Sequence, residues 1–130
     1  MPRRKSRTLT QLELEIMQIV WKEGETTVKD ISDSLRQTGH PLALPSIRTM
    51  LSILEDKGYV ERRREGREHV YRAVVSGEQA QRRILKDIID RAFDGSASHL
   101  VAALVSGEMV SQKELEEARR LIEKREKGGK

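Results

Sequence analysis

Leu44-Pro-Ser-Ile-Arg-Thr-Met-Leu-Ser-Ile-Leu-Glu-Asp-Lys-Gly58, followed by Tyr59-Val-Glu-Arg-Arg-Arg-Glu-Gly-Arg-Glu-His-Val-Tyr-Arg-Ala-Val-Val75, decides the fold. In the first part Ile47, Met50, Leu51 and Leu54 recur at helical spacing and define one buried stripe. The opposite stripe carries Ser46, Arg48, Thr49 and Ser52: short hydrogen-bonding side chains and one guanidinium, with little bulk to hold a partner away. In the second part the period changes to two, and Arg62, Arg63, Arg64, Arg67 and Arg72 make the segment a basic hairpin. A slim polar helix face beside a positive hairpin suits a DNA groove, with the helix at the base edges and the hairpin along the phosphates. The plainer alternative is a surface helix followed by a solvated hairpin.

Working outward, two helices precede this segment. Thr10-x-x-Glu13 is a capping box, in which each residue satisfies an unpaired donor of the other. It opens a helix to about Lys22, with Leu12, Ile16, Ile19 and Val20 inward, Trp21 near the core and Gly24 at the end. Thr27 caps a second helix whose apolar face is Val28, Ile31 and Leu35, and Gly39-His40-Pro41 breaks it. Pro45 suits the first turn of the third helix, and Lys57-Gly58 closes it. Val70 is out of phase with Tyr71, so the hairpin is firmer than its register. Three helices and a hairpin within about 65 residues is the winged helix-turn-helix plan.

Downstream, Ser76-x-x-Gln79 caps a helix to about Phe93, carrying Ala80, Ile84, Leu85, Ile88, Ile89 and Ala92 on its apolar face. Asp94-Gly95-Ser96 is a break. A short helix follows, with Leu100, Val101, Leu104 and Val105. Ser111-x-x-Glu114 then caps a last helix with Leu115, Ala118, Leu121 and Ile122. Three short helices hold too little core to stand alone. A second copy would supply the missing surface, with Ile84, Leu85, Ile88, Leu100, Leu104, Leu115 and Ile122 as the clasp. Packing back onto the winged helix as a monomer is the other solution. The expectation is a mainly α chain: a basic tail over 1–8, a winged helix over 9–75, and a three-helix dimerisation unit over 76–127.

Composition narrows the function. Of the 130 residues, 36% are hydrophobic and 35% charged, which suits small helical units with wet surfaces. Net charge is +4, divided as +3 for residues 1–75 and +1 for the rest. Clustering matters more than the total: Arg3-Arg4-Lys5-Arg7 and Arg62 to Arg72 hold the excess. Trp21, Tyr59, Tyr71 and Phe93 are the whole aromatic set, too few for base stacking along a single strand. The absence of cysteine excludes disulfides, thiolate metal sites and a cysteine nucleophile, and is compatible with a reducing cytoplasm. No apolar run approaches the ~20 residues that span a bilayer. Gln11, Glu13, Glu15 and Gln18 interrupt any signal-peptide pattern after the basic start, so a cytoplasmic protein is expected. His40, His69 and His99 are scattered without carboxylates at ligand spacing, and no phosphate cradle or nucleophile motif is present. Neither an enzyme, a metal site nor a cofactor is expected. His69 reads as a surface or phosphate-side residue.

Several motifs resemble one family. They are Leu12-x-x-x-Ile16-Met17-x-Ile19-Val20-Trp21, Ser46-Ile47-Arg48-Thr49-Met50-Leu51-x-x-Leu54-x-x-Lys57-Gly58-Tyr59-Val60, and Val70-Tyr71. From about Leu9 to Lys124 the chain is similar to the BlaI/MecI repressors, the penicillinase-repressor family, with its related CopY branch. The resemblance implies a homodimeric repressor on a dyad-symmetric DNA operator. Ser46, Arg48 and Thr49 would read bases, and the wing arginines would hold phosphates. It also implies release by proteolysis after a membrane metalloprotease sensor, or a protease downstream of it, responds to a signal. Alignment through Leu100-Val101 places the scissile bond at Ala103-Leu104, where the best-known members have an asparagine and a phenylalanine. Ile53 stands where members often carry a basic residue, and without cysteine the metal-triggered release of the copper-responsive branch is excluded. Two other functions fit the same elements. One is a winged helix used for protein contacts. The other is a small-molecule-responsive regulator with a cavity lined by Phe93, Leu100 and Leu104.

Overall fold

A computed structural model describes residues 8–128; the basic cluster Arg3, Arg4, Lys5 and Arg7 lies outside them. The chain divides into one unit ending at Asp87 and another beginning at Ile88.

The first unit runs α1 (Gln11–Glu23), β1 (Glu25–Thr26), α2 (Val28–Gln37), α3 (Leu44–Asp56), β2 (Val60–Glu65), β3 (Glu68–Ala73) and the opening of α4 (Gly77–Ala92). The capping residues act as the sequence indicates. The Thr10 hydroxyl accepts from the Glu13 amide, and the Glu13 carboxylate accepts from the Thr10 amide at 2.9 Å. Thr27 caps α2 through the Asp30 amide, and Pro45 sits in the first turn of α3. At the far end of α3, Gly58 takes φ 82°, a left-handed conformation that a side chain would strain. Tyr59 N–H then reaches the Leu54 carbonyl at 2.9 Å and Gly58 N–H reaches Glu55 at 3.0 Å. That pair of bonds is the Schellman ending, and it turns the chain sharply from helix into strand.

The core gathers Ile16, Met17 and Val20 of α1, Ile31 and Leu35 of α2, and Ile47, Leu51 and Leu54 of α3. Tyr59, Val60, Tyr71 and Val75 close it from the sheet side. The indole of Trp21 donates to the Val75 carbonyl at 2.9 Å, fastening the end of α1 to the strand exit.

The sheet has three antiparallel strands in the order β1-β3-β2. Gly66, φ 64°, and Arg67 form the two-residue turn of the hairpin, glycine taking the first position as a type II′ turn asks. Tyr71 lies opposite Arg62 and Val70 opposite Arg63, which fixes the register that the sequence left open. Strand β1 was not expected: two residues carry no period to read, and only its pairing of Glu25 with Arg72 and Thr26 with Tyr71 makes it a strand.

Helix α4 opens with the Ser76–Gln79 capping box. Its first turns belong to the winged helix: Ala80 is buried in that core, and the Arg83 guanidinium stands 5.0 Å over the Tyr59 ring. The second unit contains the end of α4, α5 (Ala97–Ser106) and α6 (Gln112–Lys127). Ser96 caps α5, and Ser111 and Glu114 form the box that starts α6. Neither α5 nor α6 has a buried residue.

Candidate nucleic-acid interface

All four polar residues predicted on α3 are exposed: Ser46, Arg48, Thr49 and Ser52. At about 100° per residue they are not one stripe. Arg48 and Ser52 lie on the flank with Leu44 and Glu55. These four line a cleft of about 410 Å³, together with Thr27 and Lys29 of α2 and Arg62, Arg67, Glu68 and His69 of the hairpin. Thr49 points most directly outward, with its hydroxyl donating to the Pro45 carbonyl at 3.1 Å. Ser46 lies on the other flank, with Ile53.

The strand alternation sorts the wing arginines. Arg62 shares a face of β2 with Val60, and past the edge of the core it emerges beside α3, with Nε 3.7 Å from Glu55. Arg64 is on the same face, its Nε donating to the Gly66 carbonyl at 3.2 Å. Arg67 stands at the turn and lines the cleft. Arg63 is on the opposite face, held between Glu25 at 2.8 Å and Glu65 at 2.7 Å. Arg72 is paired with Glu61 across the strands. Among the described residues no ion pair is made by Arg48 or Arg67, so their charge is available to an anion.

Two features of this face are not legible in the sequence motifs. Lys29 is the clearer. It stands in the first turn of α2, where the helix dipole disfavours a cation. That misplacement beside the N-cap Thr27 was the signal. His69, expected at the surface or phosphate side, packs edge-on against Tyr71 with ring centroids 6.5 Å apart and lines the cleft. The other is the support behind α3. Lys57 Nζ meets the Glu13 carboxylate at 2.7 Å and the Thr8 carbonyl at 3.0 Å, with the Lys57 and Glu13 side chains both largely buried. Forty-four residues separate this pair, and no local pattern announces it.

The arrangement offers a protruding helix, an adjoining cationic hairpin, and a further cation, Lys29, at a helix N-terminus. The penicillinase repressor family model matches residues 9–124. The chain belongs to the penicillinase repressor family. It is similar to the methicillin resistance regulatory protein MecI of Mammaliicoccus sciuri, 26% identical over 121 residues that cover 93% of this chain and 98% of that protein. It is also similar to the penicillinase repressor of Bacillus licheniformis, 24% identical over 115 residues covering 88% and 89%. Among solved structures, the DNA-binding domain of the repressor BlaI superposes with a TM-score of 0.50 and 27% identity, over 59% of this chain and 93% of that domain. The family resemblance and the winged-helix fold expected from the sequence are both borne out. Members of this penicillinase repressor family are DNA-binding transcriptional repressors and not enzymes.

Proposed function

We propose that the chain represses transcription as a homodimer, seating two α3 helices in major grooves of a dyad-symmetric operator. The observation that carries this reading is the convergence of Arg48, Arg62, Arg67 and Lys29 on one cleft beside the exposed face of α3. Ser46, Arg48, Thr49 and Ser52 contact bases; Arg62, Arg64 and Arg67 contact phosphates. Arg63 joins them only by leaving Glu25 and Glu65. A repressor of this kind works where the chromosome is, in the cytoplasm. Among the described residues no helix is long and apolar enough to cross a membrane.

The dimer rests on Ile84 and Leu85 of α4 and on apolar residues of the second unit. Leu85 is 47% exposed, Ile88 40% and Ile122 58%, with Leu104 also exposed and Ile84, Leu100 and Leu115 half-buried. Apolar side chains spread over three helices, none wholly covered, are supported best by a second copy of the same surface. Release by proteolysis follows as part of this reading. Ala103–Leu104 lies inside α5, so a protease must first unwind that helix.

Operator titration and sedimentation of the full chain, beside a fragment ending at Asp87, test the reading. The fragment ends there because Ala80 packs in the winged-helix core and the Arg83 guanidinium stands over Tyr59. The fragment keeps only Ile84 and Leu85 of the seven clasp residues, so it should be monomeric and bind the full operator far more weakly, because two linked half-sites each contribute. A dimeric fragment, or one that binds as tightly as the full chain, overturns the assignment of the clasp. Failure of the full chain to prefer any duplex sequence overturns DNA recognition.

A further inference from the structure

Leu44 is an anomaly on the face just described. It is the first residue of α3 and is 40% exposed. Leu42, two residues earlier, packs against the core; Leu44 does not. Instead it lines the cleft with Lys29, Arg48, Ser52 and Arg62. A single exposed leucine needs no explanation on an ordinary surface. Here it is set among cations, at the N-terminal end of the helix that enters the groove, where recognition helices meet base edges.

Such a position restricts what the leucine meets on binding. Phosphates and sugars approach the surrounding cations. The base edges in a major groove present donors, acceptors and one apolar group, the 5-methyl of thymine. An isobutyl group gains from water exclusion only against that methyl; against an N7, an O6 or an amino group it removes hydration and returns nothing. Its neighbour Arg48, one turn along the same flank, has the donors for an adjacent guanine.

We infer that Leu44 is a specificity-determining residue that reads a thymine methyl in each half-site. The inference rests on the DNA-recognition reading above and adds to it a base and an atom.

The test uses full-length protein and an operator selected from a random duplex pool. Each thymine is replaced singly by deoxyuridine, which deletes the methyl and leaves every hydrogen bond of the base pair. At one position in each half-site, deoxyuridine should weaken binding about fourfold, the worth of one buried methyl. The same replacement should have no effect on Leu44→Ala, whose affinity for the thymine operator is itself reduced and whose melting is unchanged. Ile53→Ala, an exposed apolar residue on the other flank of α3, should keep the thymine preference. No sensitive position, or sensitivity that persists in Leu44→Ala, overturns the assignment while leaving DNA recognition intact. A pool that yields no preferred sequence overturns both.

Discussion

Lys57→Met is the most informative single perturbation of this fold. The Lys57 side chain is 11% exposed and that of Glu13 only 4%, with Nζ and Oε1 2.7 Å apart. Replacing lysine by methionine keeps the packing of the stem but removes the ammonium. Glu13 is left buried with one remaining hydrogen bond, from the Thr10 amide. Breaking one side of a buried ion pair typically destabilises by about 3–5 kcal/mol, since the abandoned charge stays out of water. For a unit of this size that is roughly 15–30 °C in Tm. Glu13→Gln is gentler. The amide oxygen still accepts from Thr10 and from Lys57, and the loss should be about 1–2 kcal/mol. Combining the two removes both charges, so the double variant should be more stable than Lys57→Met alone. Urea unfolding followed by Trp21 fluorescence reads all three, because Trp21 is the sole tryptophan and is bonded to Val75 in the native core. A Lys57→Met loss below about 1 kcal/mol, with no recovery in the double variant, would show that the pair does not pin α1 to the end of α3.

Other outcomes follow from the same geometry. Trp21→Phe keeps the ring and leaves the Val75 carbonyl without its indole donor, so it should lower stability by about 1–2 kcal/mol in the same urea assay. Arg48→Ala should weaken operator binding by about 1–3 kcal/mol more than binding to random duplex, measured side by side; equal losses would mean a backbone contact only. Neutralising Arg62 and Arg64 together should flatten the slope of log affinity against log salt by about two units. Neutralising Arg63, already held by Glu25 and Glu65, should change it little; the reverse pattern would reassign the faces of the wing. Leu104→Asp with Ile122→Asp should make the full chain monomeric by sedimentation while its winged helix melts as before.

What was legible in the sequence was what is local. Thr10, Ser76 and Ser111 announced helix starts through partners three residues away. Gly58 announced a stop because only one residue type takes its backbone angle without strain. The stripe Ile47, Leu51 and Leu54 lies in the core as its spacing requires. What was not legible depends on contacts between distant segments. Strand β1 exists only because Arg72 and Tyr71 pass beside it. Arg62, Arg63 and Arg64 look equivalent in sequence; alternation along β2, and the placement of Glu25 and Glu55, give the first two different surroundings. The Glu13–Lys57 pair joins two capping motifs that are each local and carry no sign of one another.

Glu55 and Glu68 also line the cleft, and Arg62 is beside Glu55 before any partner arrives. On the proposed reading, these two carboxylates act as a toll on loose encounters. A duplex that slides past at a distance meets repulsion from both and a guanidinium already engaged elsewhere. A duplex seated deeply enough to satisfy Arg48, Arg67 and Lys29 draws Arg62 away from Glu55 and overcomes that resistance. The penalty therefore falls hardest on arbitrary DNA, which outnumbers any operator by orders of magnitude. A wholly basic cleft would hold every duplex more tightly and spend most of its time on the wrong ones. The two acids shorten those stops, and so shorten the search.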